Sequence, residues 1–158
     1  TYLIGTEEDR YITRTLLPRV DGCRTLIHTI HRDDLDRHPH DHPWKRAVFL
    51  VVDGGYTDAR WVQQEPEWDV LPSSSTGGVA HLGEWGWVRR ELRPGDLNEL
   101  HDTSYHRAVD VQPGTLTVGV VGERVQDWGF LVDGVKVLHD AYESSNGATR
   151  GPGIASES

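Results

Sequence analysis

The strongest constraint on this chain is its rhythm: short runs rich in β-branched and aromatic residues, cut by Gly, Pro, Asp or Ser. Tyr11–Leu16, Arg24–His31, Lys45–Val52, Tyr56–Gln63, Trp85–Leu92, His106–Val111 and Thr115–Val121 each read as a strand. Asp53-Gly54-Gly55 reads as a tight turn, because glycine accepts a positive φ. Arg93-Pro94-Gly95-Asp96 and Gln112-Pro113-Gly114 read as two more turns. No long segment carries a 3.6-residue apolar period, so the predicted class is all-β, a sandwich or a barrel.

A chain of 158 residues can bury one ordinary core. The predicted domain spans residues 1–142. From Glu143 the composition turns to Ser, Gly and Asn, so residues 143–158 read as a polar tail. Gln64–Glu84, with Pro66, Pro72, a Ser73-Ser74-Ser75 run and Gly77-Gly78, is long for a hairpin connection and reads as an excursion or a lid.

Charge and composition narrow the partners. Acidic residues outnumber basic ones 25 to 16, for a net charge of −9, and the basic residues are interleaved with acids. A nucleic-acid surface wants a basic stripe instead, so none is expected. The longest apolar run, Ala47–Val52, is far short of the roughly 18 residues of a membrane helix, so no membrane partner is expected either. Cys23 stands alone and cannot form an internal disulfide, which favours a reducing cytoplasm. The sequence has no Met and reads as trimmed or processed; its first residues lack a signal-peptide pattern. Neither G-x-S-x-G nor G-x-x-x-x-G-K occurs, so a serine-hydrolase or phosphate-loop chemistry has no support.

Nine histidines are many for this length, and imidazole is the commonest metal ligand. The centre is Arg37-His38-Pro39-His40-Asp41-His42-Pro43-Trp44. On a strand, residues two apart share a face, so His40 and His42 can present imidazoles to one point. Pro43 suits a bend just after the pair. His38 is in phase with them, which leaves a shifted pair of His38 and His40 open. A third imidazole would come from a distant strand. His106 and His101 compete for that place, and the alternation Ala108, Val109, Val111 favours His106. His28, His31, His81 and His139 have no spacing argument.

These residues resemble the motifs of the RmlC-like cupin superfamily. The first cupin motif runs H-x-H, three or four residues, Glu, six residues, Gly. Here His42 leads after four residues to Ala47, and six more lead to Gly54, so the frame fits with Ala47 in the Glu position. The second motif resembles Pro94-Gly95-Asp96 followed by His106. The wider set, with Gly54-Gly55-Tyr56, His106-Arg107 and Trp128-Gly129-Phe130, is similar to a little-characterised group of bacterial and phage cupins bearing H-x-H-P-W. The resemblance covers roughly Tyr11 to Phe130. It implies a single-domain double-stranded β-helix, a jelly-roll barrel, with one divalent metal ion on His40, His42 and His106. It also implies that exposed strands can pair two copies into a homodimer.

The Ala47 substitution bears on chemistry. Three neutral imidazoles leave a divalent ion its full charge and up to three open positions, which suits a chelating substrate together with O₂. By resemblance, three-His cupins include thiol, diketone and gentisate dioxygenases that use iron(II). The expected function is therefore an iron(II) oxygenase, a dioxygenase-like oxidoreductase, acting on a small anionic or chelating molecule. Zinc, nickel, manganese and copper stay open, because imidazole serves them all. An isomerase, epimerase or lyase using the metal as Lewis acid also stays open. So does a non-catalytic small-molecule-binding cupin. Tyr56 and Arg60, in phase on one strand, are the candidates for binding an anionic group; the alternative puts Asp58 and Arg60 outside and packs Ala59 and Trp61 inward. Asp41 and Asp102 are candidates to fix a ligand's tautomer, with Asp41 otherwise an outer partner or a surface charge. Trp44, Trp85, Trp87 and Trp128 are expected in the core, and packing is the default for Tyr105.

Overall fold

The computed structural model describes residues 1–63 and 85–146. Its elements are β1 (Tyr2–Gly5), β2 (Arg10–Val20), β3 (Cys23–Ile30), β4 (Arg46–Asp53), β5 (Tyr56–Gln63), β6 (Trp85–Leu92), β7 (Leu97–His101), β8 (Tyr105–Val109), β9 (Thr115–Val121), β10 (Gly129–Val132), β11 (Val135–Leu138) and α1 (His139–Asn146). The expected excursion Gln64–Glu84 lies outside the described residues. The expected polar tail begins inside α1, where Tyr142 is buried against Phe130 with ring centroids 3.8 Å apart.

One antiparallel sheet runs β1-β2-β3-β9-β4-β7 and a second runs β6-β5-β8. His40 extends the second sheet, bridging His106 on β8 and Phe130 on β10, which pairs in turn with β11. From β3 onward the chain passes back and forth between the two sheets, with β5 and β6 consecutive in the second, giving β3-β9-β4-β7 on one wall and β6-β5-β8-His40 on the other. That double Greek-key winding is the jelly roll, the double-stranded β-helix of cupin domains. Strand order alone fixes it.

Local chemistry explains the winding. Gly54 turns β4 into β5 at φ 74°, and a Cβ there would sit 2.5 Å from Thr115 Oγ1. Glycine is required on both counts. Inward side chains form three apolar groups, around Leu26 and Phe49, around Val51 and Leu92, and around Trp128 and Phe130. Each fully buried side chain among them contributes roughly 1.5–3 kcal/mol.

The segment bearing His40 and His42 is not a regular strand. It is extended between Pro39 and Pro43, and the ladder is reduced to the bridges at His40. Proline lacks an N–H, so such a ladder cannot propagate. Trp44 and Trp128 are buried as expected, whereas Trp85 and Trp87 are 53% and 42% exposed on edge strand β6.

Candidate metal centre

Asp41, the residue between the two histidines, sets their direction. Its carboxylate is 1% exposed and points away from the barrel interior. There it accepts from the Gly129 N–H at 2.7 Å and from Gln126 Nε2 at 3.1 Å, and lies 2.6 Å from Lys136 Nζ. Burial raises its pKa, opposed by Lys136 and by the Gly129 N–H. The surface-charge expectation is thus corrected: Asp41 is a buried anchor to the β10–β11 hairpin. Gly129 lets β10 lie close against β11 at this point, since a Cβ there would meet Val137 O at 2.3 Å.

With Asp41 locked outward, His40 and His42 face inward toward His106. The three rings form a nearly equilateral triangle, with centroids 5.2, 5.0 and 5.0 Å apart. One ring nitrogen from each lies within 4.8 Å of the others. His42 Nε2 and His106 Nε2 approach to 2.8 Å.

The far sides of two rings are held by carboxylates. Asp58 Oδ1 lies 2.5 Å from His106 Nδ1, and Asp34 Oδ2 lies 3.0 Å from His40 Nδ1. Both acids are 2% exposed. The hydrogen bond between His106 Nδ1 and Asp58 fixes the proton on Nδ1 and leaves Nε2 with a lone pair facing the cluster, the arrangement that orients metal-ligating histidines, while Asp34 lies within ion-pair distance of His40 Nδ1. Burial pushes the Asp58 carboxyl up, but the His106 imidazole and the Arg60 guanidinium outweigh it and hold the group down to about 2. The donor set fits a divalent ion: His40, His42 and His106 would hold it through nitrogen.

The sequence-predicted competitors go elsewhere. His38 Nδ1 pairs with the Tyr142 hydroxyl at 3.1 Å, and His101 is exposed, 3.2 Å from Glu99. Asp102 meets this region through its backbone carbonyl, which accepts from Gln126 Nε2 at 2.6 Å. The second-sphere acids are instead Asp34 and Asp58. Asp58 carried a signal, being in phase with Tyr56 on β5, but Asp34 sits in a charged run with no periodicity to mark it.

Tyr56 lines the same cavity, about 370 Å³ in volume. Its hydroxyl accepts from Asn98 Nδ2 at 3.0 Å, and burial raises it to about 12. Arg60 requires correction as an anion binder. Its Nε donates to Asp58 at 2.6 Å, while Nη2 donates to Asn98 Oδ1 and the Glu99 carbonyl, both at 2.6 Å. A buried carboxylate next to it has claimed the guanidinium, which clamps Asp58 rather than lining the cavity. The alternative of Asp58 facing outward is corrected too. Tyr105 is held back by burial and by its hydrogen bond to Asp41, which raise it to about 12.

No family model and no curated protein matches the chain. Among solved structures it is similar to a proposed mannose-6-phosphate isomerase from Ralstonia eutropha JMP134, at 16% identity over 71% of this chain and 84% of that one, TM-score 0.49. It is similar to KdgF from Halomonas sp., at 17% identity over 77% and 88%, TM-score 0.48. A third likeness is to Streptomyces albus HEPD with 2-hydroxyethylphosphonate and Fe(II) bound, at 12% identity over 75% of this chain and 22% of that one, TM-score 0.47. These are likenesses of fold, and the strand order above carries the fold without them.

Proposed function

We propose that the chain is a metal-dependent cupin enzyme of the H-x-H-P-W group, an iron(II) oxygenase acting on a small anionic or chelating substrate. The observation that carries this reading is the convergence of one ring nitrogen each from His40, His42 and His106, with the Asp58 carboxylate hydrogen-bonded behind His106. Iron(II) held there would supply redox chemistry with O₂ and Lewis acidity toward a chelating substrate. No carboxylate belongs to the three-residue cluster, so the imidazoles would leave the ion's charge undiminished.

The chain's own residues do the rest. Asp58 keeps the His106 tautomer fixed, and Asp34 places a carboxylate beside His40 Nδ1. Trp44, stacked on His42 at 5.7 Å, and Trp128 give the cavity apolar walls that limit water. Tyr56 stays a neutral hydroxyl at the cavity surface throughout the physiological range. We also assign the activity to a reducing cytoplasm, on the strength of the exposed, solitary Cys23.

Protein loaded anaerobically with iron(II) and given a panel of small carboxylates, thiols and diketones tests this. The expected result is oxygen uptake in proportion to product, abolished in His106→Ala. Full turnover with zinc and without oxygen would instead make it an isomerase or lyase, since zinc has no redox chemistry.

A further inference from the structure

The wall facing the three histidines carries polar residues where a barrel interior is expected to be apolar. Arg14 on β2 pairs with His28 on β3, and His28 pairs with Thr117 on β9. All three line the cavity that His40, His42 and His106 enter from the other sheet. The neighbouring rows on β2 and β3 are apolar, Ile12 and Ile30 to one side and Leu16 and Leu26 to the other, and Thr115, which continues the first row on β9, spends its hydroxyl on the Gly55 and Gln112 carbonyls. The hydrogen bond between Arg14 and His28 offsets the burial of polar atoms, but a guanidinium charge set among apolar rows is costly without an anion beside it.

Arg14 is aimed by its partners. Nε donates to His28 Nε2 at 2.8 Å, and Nη1 donates to the Tyr2 hydroxyl at 3.2 Å. Burial, then the charge of Arg14, hold His28 well below the usual imidazole range, so it stays neutral and accepts that hydrogen bond. Among the described residues no carboxylate lies within ion-pair distance of Arg14. Nη2 and the second Nη1 hydrogen remain to donate. The guanidinium also lies 5.9 Å from the Trp44 ring, the same ring that stacks on His42. Trp44 is therefore a neighbour of both the cation and one proposed metal ligand.

We propose that Arg14 is the substrate-anion residue: it binds a small carboxylate whose other donor atoms face the three histidines across the barrel. The inference rests on the cavity being the substrate site and names the charged group that the substrate brings. A carboxylate fits because a guanidinium can give it two parallel N–H donors, which a neutral ester cannot receive with charge assistance. The volume of about 370 Å³ suits a molecule of modest size.

Glycolate and its neutral methyl ester are the probes, titrated calorimetrically into cobalt(II)-loaded and metal-free protein. Arg14→Gln should weaken glycolate by about tenfold or more, the loss of a charge-assisted pair, with methyl glycolate and cobalt content unchanged. Arg14→Lys keeps the charge but not the fork and should fall between; it decides the matter if the Gln variant does not fold. Equal glycolate affinity in wild type and variants, or no glycolate binding to wild type, overturns the proposal while a normal cobalt spectrum leaves the metal reading standing. Failure of wild type to take cobalt sinks the metal reading alone. The Arg14 site is then judged by glycolate binding to the metal-free protein, with the same dependence on Arg14 expected.

Discussion

His106 and His28 are equally buried, each 6% exposed, and both line one cavity, yet their neighbours give them opposite chemistry. Behind His106 stands the Asp58 carboxylate, which accepts the hydrogen bond from Nδ1–H and turns Nε2 toward the cluster. Against His28 stands the Arg14 guanidinium, whose Nε–H occupies the imidazole's accepting nitrogen. One ring is prepared to hold a cation. The other is prepared to hold a cation-bearing side chain still, and so to present positive charge to an anion. Burial and residue type do not separate the two; the charge placed behind each ring does.

The sharpest way to break this contrast is to remove each ring in turn. His106→Ala should cost more than about a hundredfold in affinity for cobalt or iron(II), since loss of an outer partner alone costs ten- to a hundredfold. His28→Ala should leave metal affinity within a few-fold. Equal losses, measured by metal analysis after dialysis, would erase the distinction.

The anchor that directs the His40–His42 segment comes next. Asp41→Ala strands Lys136 and the Gly129 N–H, and should lower folding stability by about 3 kcal/mol, the range for breaking a buried pair. Urea denaturation reads this directly. A loss under about 1 kcal/mol would mean that the prolines alone hold the segment.

Asp58→Asn tests the backing charge itself. Metal affinity should fall about ten- to a hundredfold with the fold retained. No change would leave Asp58 as a structural partner of Arg60 only.

These expectations show what the sequence made legible. Seven strands and three turns were readable because their side chains alternate and their glycines and prolines punctuate. β1, β7, β10 and β11 were not: each is four or five residues long, which gives alternation little room, and among the strands that short only β8 was read, where Ala108, Val109 and Val111 follow His106. The H-x-H pair and His106 were readable from spacing. Their carboxylate partners and the Arg14–His28–Thr117 row were not, because cross-strand register decides them and no local pattern records register. Arg60 misled for the same reason: phase placed it beside Tyr56, but phase cannot show that Asp58 would claim its donors first.

The smallest expected effect concerns Tyr56. Its folded pKa of about 12 exceeds the ordinary 10, so its stabilising contribution is full below pH 10 and is lost as pH climbs toward 12. Tyr56→Phe should be about 1 kcal/mol less stable at neutral pH, where Asn98 loses an acceptor. That gap should close as pH rises above 10, followed by denaturant midpoints at stepped pH. A gap independent of pH would place the phenol in contact with water.

The central claim is that one divalent ion sits on His40, His42 and His106. X-ray absorption on protein loaded with one equivalent of iron(II) or cobalt(II) tests it most directly. Three imidazole nitrogens at about 2.0–2.2 Å, the range for first-row ions, are expected in wild type, with the imidazole scattering reduced in His106→Ala. An oxygen-only shell, or a spectrum that His106→Ala leaves unchanged, would contradict the account.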